Sequence, residues 1–314
     1  MYPRSMLIGI DWGGTKIEGV AMSEDGREAL RVREDTPRGD YEACLRSIAD
    51  IVARLEREAG SPTGRPVGIG IPGSLEPRSR LGKGASSTWL LRRPVERDLR
   101  EALGREVIVE NDADCFAASE ARDGAGVGHD VVFAVILGSG AGAGVAVCGR
   151  AHHGPNNSAG DWGHNPLPFA RMDEVPGQPC YCGKTGCLET WVGGRSFEAD
   201  YARHADVPLR AAEILEHARA GEPLPRLVWE RYVDRVARGL SIVVNTLDPD
   251  VFVMGGGISN IEELYRDLPP AIGRYTFSPV FHTPVVRAMH GDSSGVRGAA
   301  WLALEPRAPA TGSP

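Results

Sequence analysis

Apolar and β-branched positions run through MLIGIDW, stop at Gly13-Gly14, and resume in KIEGVAMS. That pattern predicts two strands joined by a tight turn. The layout returns about 125 residues later in VVFAVILGSGAGAGVAVCG, again strand, glycine turn, strand. A unit repeated at that distance predicts two halves of related topology. Between the hairpins, periodicity predicts an amphipathic helix over 41–58, a buried strand in VGIGIPG, a loop through Trp89, a helix over 95–103, a strand in VIVEN and a helix over 113–122. After the second hairpin and a cysteine-bearing loop come helices over 211–220 and 227–247, strands in VFVMGGG and PVVRAM, and a last helix over 296–304. Strands and helices alternate, which makes the class α/β. The expected division is a first domain over 1–118, a second over 119–295, a last helix 296–304 that packs back on the first, and a mobile tail over 305–314.

The 314 residues suffice for two domains with cores of their own, and 42% hydrophobic content fits a folded chain. The 35 Lys plus Arg against 42 Asp plus Glu leave a net charge of -7, without the basic patch that a nucleic-acid partner requires. The apolar runs are short and glycine-rich, so neither a signal peptide nor a membrane span is expected, and a cytoplasmic location follows. A homodimer is left open.

The 40 glycines cluster, which indicates tight backbone turns. A turn of Gly13, Gly14, Thr15 and Lys16 after a strand ending in Asp11 offers amides, a hydroxyl and an ammonium to an anion, with Asp11 available to Mg²⁺. An ordinary Gly-Gly hairpin is the competing reading. The turn from Gly138 through Ser139 and Gly140 has glycines wherever a bulky anion would press on the backbone, although a close strand crossing would also need them. Gly138, Gly140 and Ala143 mimic a dinucleotide fingerprint, but a strand follows where that fingerprint needs a helix. Gly183-Lys184-Thr185 mimics the end of a P-loop, yet Gln178 stands where the motif needs Gly. Gly255, Gly256 and Gly257 form a third turn, which admits an adenine flat on backbone or a plain strand-to-helix turn.

Asn111 and Asp112 fall where a buried strand gives way to a helix, the end of a sheet at which α/β proteins bind ligands. Asp112 could be a plain helix cap. In the company of phosphate-binding turns it can instead be the base that takes the proton from an attacking hydroxyl. Cys180, Cys182 and Cys187, with His164 sixteen positions earlier, make a Cys3His set for a closed structural zinc site. Its service would be to fix the loop bearing Asp161, His164 and Glu189, polar groups able to bind sugar hydroxyls.

Together DWGGTK, GIPG, NDA, LGSGAGAG, AGDWGHNPLP, CYCGKTGCLET, LDPD, GGGIS and HGDSSGVRGAAWL resemble the ROK family of sugar kinases, nearest its bacterial fructokinase and mannokinase branch, from about Leu7 to Leu304. The resemblance implies an actin-like ATPase (ribonuclease H-like) fold, two related domains around a nucleotide and sugar cleft. ATP with Mg²⁺ would bind at the Asp11 to Lys16, Gly138 and GGGIS turns. Asp112 would be the base, with Asn111, His164 and Glu189 on the sugar and zinc on His164, Cys180, Cys182 and Cys187. A hexose would be phosphorylated at its terminal hydroxyl, with fructose to fructose 6-phosphate expected first and mannose, glucose or N-acetylglucosamine behind it. A sugar-binding regulator without turnover is the alternative. Four positions depart from the branch: Ser86 replaces a sugar-contacting Asn, Asp161 a Glu, Ser139 a Thr and Asp114 an Asn. Ser86 and Asp161 both shorten a polar arm, so relaxed selectivity is expected.

Overall fold

The computed structural model describes residues 6–60, 65–84, 87–278, 280–291 and 294–304. Ser86 and the tail 305–314 lie outside them. Two compact units are present, Met1–Ser119 with Ser293–Pro314, and Glu120–Asp292.

In the first unit, strands β1 (Met6–Trp12) and β2 (Lys16–Ser23) form the first hairpin, and β3 (Glu28–Asp35) adds to the outer edge of β2. The sequence pattern missed β3, because an edge strand with Val32 as its one fully buried residue lacks alternation. Helix α1 (Tyr41–Ala59) begins where the Asp40 carboxylate accepts the Ala43 amide, and ends on Gly60 in the left-handed conformation. Its apolar face, Cys44, Ile48, Ile51 and Leu55 among it, covers the sheet. Strand β4 (Val67–Ile71), the short pair β5 (Ser74–Leu75) and β6 (Gly82–Lys83), helix α2 (Val95–Leu103), strand β7 (Val107–Asn111) and helix α3 (Asp112–Asp123) follow. The sheet order is β3-β2-β1-β4-β7, with β1, β4 and β7 parallel.

The second unit repeats this plan. Strands β8 (Val131–Leu137) and β9 (Ala141–Val147) make the second hairpin and β10 (Arg150–Ala151) extends it. A long loop leads to helices α4 (Glu189–Val192), α5 (Gly194–Ala202), α6 (Ala211–Arg219) and α7 (Pro223–Leu247), then strand β11 (Val251–Gly255), helix α8 (Glu262–Gly273) and strand β12 (Val285–Arg287). The order β10-β9-β8-β11-β12 matches the first sheet position for position, with the same parallel and antiparallel pairs. Helix α7 starts four residues before the expected 227 because Pro223 sits at its first turn, where a missing N–H costs nothing. Helix α8, which the sequence pattern did not predict, runs through Pro269 and Pro270; burial of Leu264, Leu268 and Ile272 outweighs them.

Helix α9 (Ser294–Leu302) returns to the first unit and packs on its sheet at backbone distance. A Cβ on Gly68 would stand 1.7 Å from the Ala299 carbonyl oxygen, and one on Gly9 2.3 Å from the Ala300 nitrogen. Only glycine permits that approach.

Candidate active site

In the first unit, Asp11 stands near the end of β1, one residue before the turn. The turn is closed by the Gly13 amide donating to the Lys16 carbonyl at 3.0 Å. Thr36 braces it from outside, its amide on the Thr15 carbonyl at 3.0 Å and its hydroxyl on the Gly13 carbonyl at 2.7 Å. Lys16 is not a free cation, since its ammonium lies 3.3 Å from the buried Glu18 carboxylate, which Arg31 and Arg33 also hold. Asp112 is the first residue of α3, and its Oδ1 accepts the Ala113 amide at 2.9 Å. The neighbouring Asn111 locks this corner: its amide donates to the Gly73 carbonyl at 2.8 Å while its oxygen also accepts from Ala113. Burial and the nearby Asp114 charge push the Asp112 carboxyl up to about 6, against the pull of the Ala113 amide. Burial, with the charges of Asp112 and Glu18, pushes Asp11 up to about 7. A carboxyl that titrates near neutrality suits a general base.

In the second unit, the residues after the Gly138 turn are strand β9, not a helix, and the turn meets the third glycine turn directly. Gly256 has φ 80°, and a Cβ there would stand 2.5 Å from the Leu137 carbonyl. Gly255 ends β11 and Gly257 opens a short 3₁₀ turn. The Gly194 amide donates to the Gly138 carbonyl at 2.8 Å, joining the first turn of α5 to the same place. Beside these turns lies a cavity of about 670 Å³ whose walls include Ser139, Arg195, Arg210, Leu215, Ile258 and Asn260. The α6 wall was not anticipated, because its charged face reads in sequence as a solvated surface.

Glu189 lies against the same turn, since a Cβ on Gly140 would come within 3.2 Å of its carboxyl. Burial raises its pKa, partly opposed by His164. Asp161 is exposed, on the turn before the short helix that carries His164. His164, Cys180, Cys182 and Cys187 present ligand atoms all within 4.8 Å of one another. The imidazole Nδ1 faces the Cys180 thiol at 3.6 Å, and Cys182 and Cys187 sulfurs are 3.5 Å apart. Burial and the two neighbouring thiols push Cys187 up to about 12, so three thiolates coexist here at neutral pH only around a cation. The donor set fits tetrahedral zinc. Tyr181, which sequence reasoning passed over, places its hydroxyl 3.0 Å from His164 Nε2.

A second anchor holds the upstream part of this loop. Glu174 is buried and accepts from Arg235 at 2.8 Å and from Arg238 at 2.7 Å, while Arg238 also donates to the Phe169 carbonyl at 3.0 Å. Burial alone would raise the Glu174 pKa, but the Arg238, Arg171 and Arg235 donors win and hold it at about 2.

Two five-stranded sheets of one topology, each covered by helices, define the actin-like ATPase fold. The ROK family profile matches residues 7–306, and the chain belongs to that family. It is 37% identical over 303 residues to a Yersinia pseudotuberculosis protein named N-acetyl-D-glucosamine kinase, covering 95% of this chain and 99% of that one. Among solved structures it is similar to a ROK hexokinase from Thermus thermophilus, with TM-score 0.82, 32% identity and coverage of 94% and 96%. It is also similar to a ROK family glucokinase from Streptomyces griseus in complex with glucose and AMPPNP, with TM-score 0.79, 28% identity and coverage of 95% and 99%.

Proposed function

We propose that the protein transfers the γ-phosphoryl group of ATP to the terminal hydroxyl of a hexose, and that the hexose is N-acetyl-D-glucosamine. The observation that carries the reaction type is Asp112: a carboxyl at the end of a parallel strand, titrating near neutrality, in the same chain as glycine turns that expose backbone to an anion. Asp112 takes the proton as the sugar oxygen attacks phosphorus. Asn111 stands beside it at the sugar, its side chain holding the corner through Gly73, Ala113 and the Asp112 carboxylate. Gly14, Thr15, Ser139 and Gly140 hold phosphate oxygens, Gly13 and Gly138 shape those turns through their amides on the Lys16 and Gly140 carbonyls, and Gly255 to Gly257 with α6 hold the base and ribose. Asp11 would hold Mg²⁺, which when bound with ATP neutralises charge on the transferred group. Ser86, Asp161, His164 and Glu189 complete the sugar contacts. His164 reaches a sugar only if Tyr181 yields Nε2, since Nδ1 belongs to the thiol cluster. Zinc on His164, Cys180, Cys182 and Cys187 would have no open ligand position and would organise the loop.

Fructose is the first expectation from AGDWGHNPLP and CYCGKTGCLET. The relative at 37% identity supports the amino sugar instead, so those motifs mark the family more than the substrate. ADP release with Mg²⁺-ATP across N-acetylglucosamine, glucose, mannose and fructose tests the reading. The expected result is the highest kcat/KM for N-acetylglucosamine. A higher value for fructose would overturn the sugar assignment, and no sugar-stimulated release from folded, zinc-loaded protein would favour a regulator.

A further inference from the structure

We propose that Arg38 is a further phosphate-binding residue of this reaction, holding the terminal phosphate of the nucleotide at the first glycine turn, where the sequence alone offers Lys16 as the cation. The proposal rests on the kinase reading. Its geometry does not. The Arg38 guanidinium donates to the Thr15 hydroxyl at 2.7 Å, which fixes an exposed cation on the tip of the turn. The segment that carries it is itself pinned to the turn through both bonds of Thr36, and closed by the Asp40 amide on the Pro37 carbonyl at 3.1 Å. Arg38 therefore comes to Thr15 by construction of the backbone, not as a wandering surface side chain.

Charge separates the two candidates. Lys16 is committed to Glu18, and Glu18 is buried on the strand, so moving the ammonium to a ligand would strip a partner from a buried carboxylate. Among the described residues no carboxylate lies within ion-pair distance of Arg38. One of its five N–H donors is spent on Thr15, and the planar fork keeps enough for two phosphate oxygens at once. Arg is also the residue whose charge is certain at any working pH. The turn thus offers a phosphate the Thr15 hydroxyl, backbone, and one guanidinium already oriented by that hydroxyl.

The test is direct binding of adenosine, AMP, ADP and AMPPNP, with Mg²⁺, to the full-length protein and its Arg38→Ala, Arg38→Lys and Lys16→Ala variants, alongside steady-state kinetics. Arg38→Ala should weaken AMPPNP by about tenfold or more and ADP by less, with adenosine and AMP within about twofold. Its kcat should fall at least about tenfold with the sugar KM within about threefold. Arg38→Lys should recover part of the AMPPNP affinity and less of kcat, since a point charge replaces a fork. Equal loss for all four nucleotides would show a merely structural role and overturn the proposal, as would unchanged AMPPNP affinity. A loss in Lys16→Ala larger than in Arg38→Ala for AMPPNP would return the role to Lys16. If the wild type binds the nucleotides but releases no ADP with any hexose, the kinase reading fails while the binding series still decides Arg38.

Discussion

At the scale of single residues the proposed reaction turns on Asp112. Asp112→Asn keeps the shape and the Ala113 contact but cannot take a proton, so kcat should fall by roughly 10² to 10⁴ with sugar affinity largely kept. The proposed base works ionised, so kcat/KM should rise with pH through about 6, the value to which burial and Asp114 push it. Stability should run the other way. A carboxyl raised on folding binds its proton more tightly in the folded state, so its contribution is full below the ordinary carboxylate range and is lost as pH rises through about 6. Asp112→Asn should therefore melt at a higher temperature than wild type at pH 8, with the gap closing at pH 4. A lower Tm at pH 8, or near-normal kcat, would remove Asp112 from its role. Asp112 was legible because a strand ending in Asn-Asp before a helix is a local pattern. The engagement of Lys16 was not, because Glu18 gathers Arg31 and Arg33 from β3, a strand that periodicity does not reveal.

At the scale of elements, the loop from His164 to Cys187 has two independent fastenings, the thiol cluster downstream and the Glu174 network on α7 upstream. About one zinc per chain should be found by metal analysis, and Cys182→Ser should lose most of it. Hydrogen exchange should then quicken over 177–187 while 167–174 stays protected by the buried ion pairs, and the sugar KM should rise with ADP binding kept. Metal-free protein with full activity and unchanged exchange would refute this. The meeting of Cys180, Cys182 and Cys187 was readable from their spacing, with His164 added from sixteen positions upstream. The Glu174 anchor was not, because its partners lie about 60 residues on, on a helix whose interior arginines look solvated in sequence. Likewise α5 and α6 carry cavity walls that only the packing of Gly193 and Gly194 on the Gly138 turn brings to light.

At the scale of the whole molecule, the repeat of hairpin, strand and strand was visible because each half announces itself with a glycine turn between apolar strands, and the full sheet order bears the repeat out. The choice of sugar was not visible, since the motifs that point to it mark the ROK family as a whole. The return of α9 has a consequence for synthesis. Helix α9 covers Leu7, Val20 and Met22 and closes on Gly9 and Gly68, so the unit translated first lacks part of its core until residues 294–302 leave the ribosome. The unit made from Glu120 to Asp292 is continuous in the chain and has no such delay. On arrested nascent chains that expose residues only as far as 290, brief proteolysis should spare the later-made unit and cut the earlier-made one. Extending the exposed chain past Leu302 should protect both. The half that begins the protein is thus expected to be the half that finishes folding last.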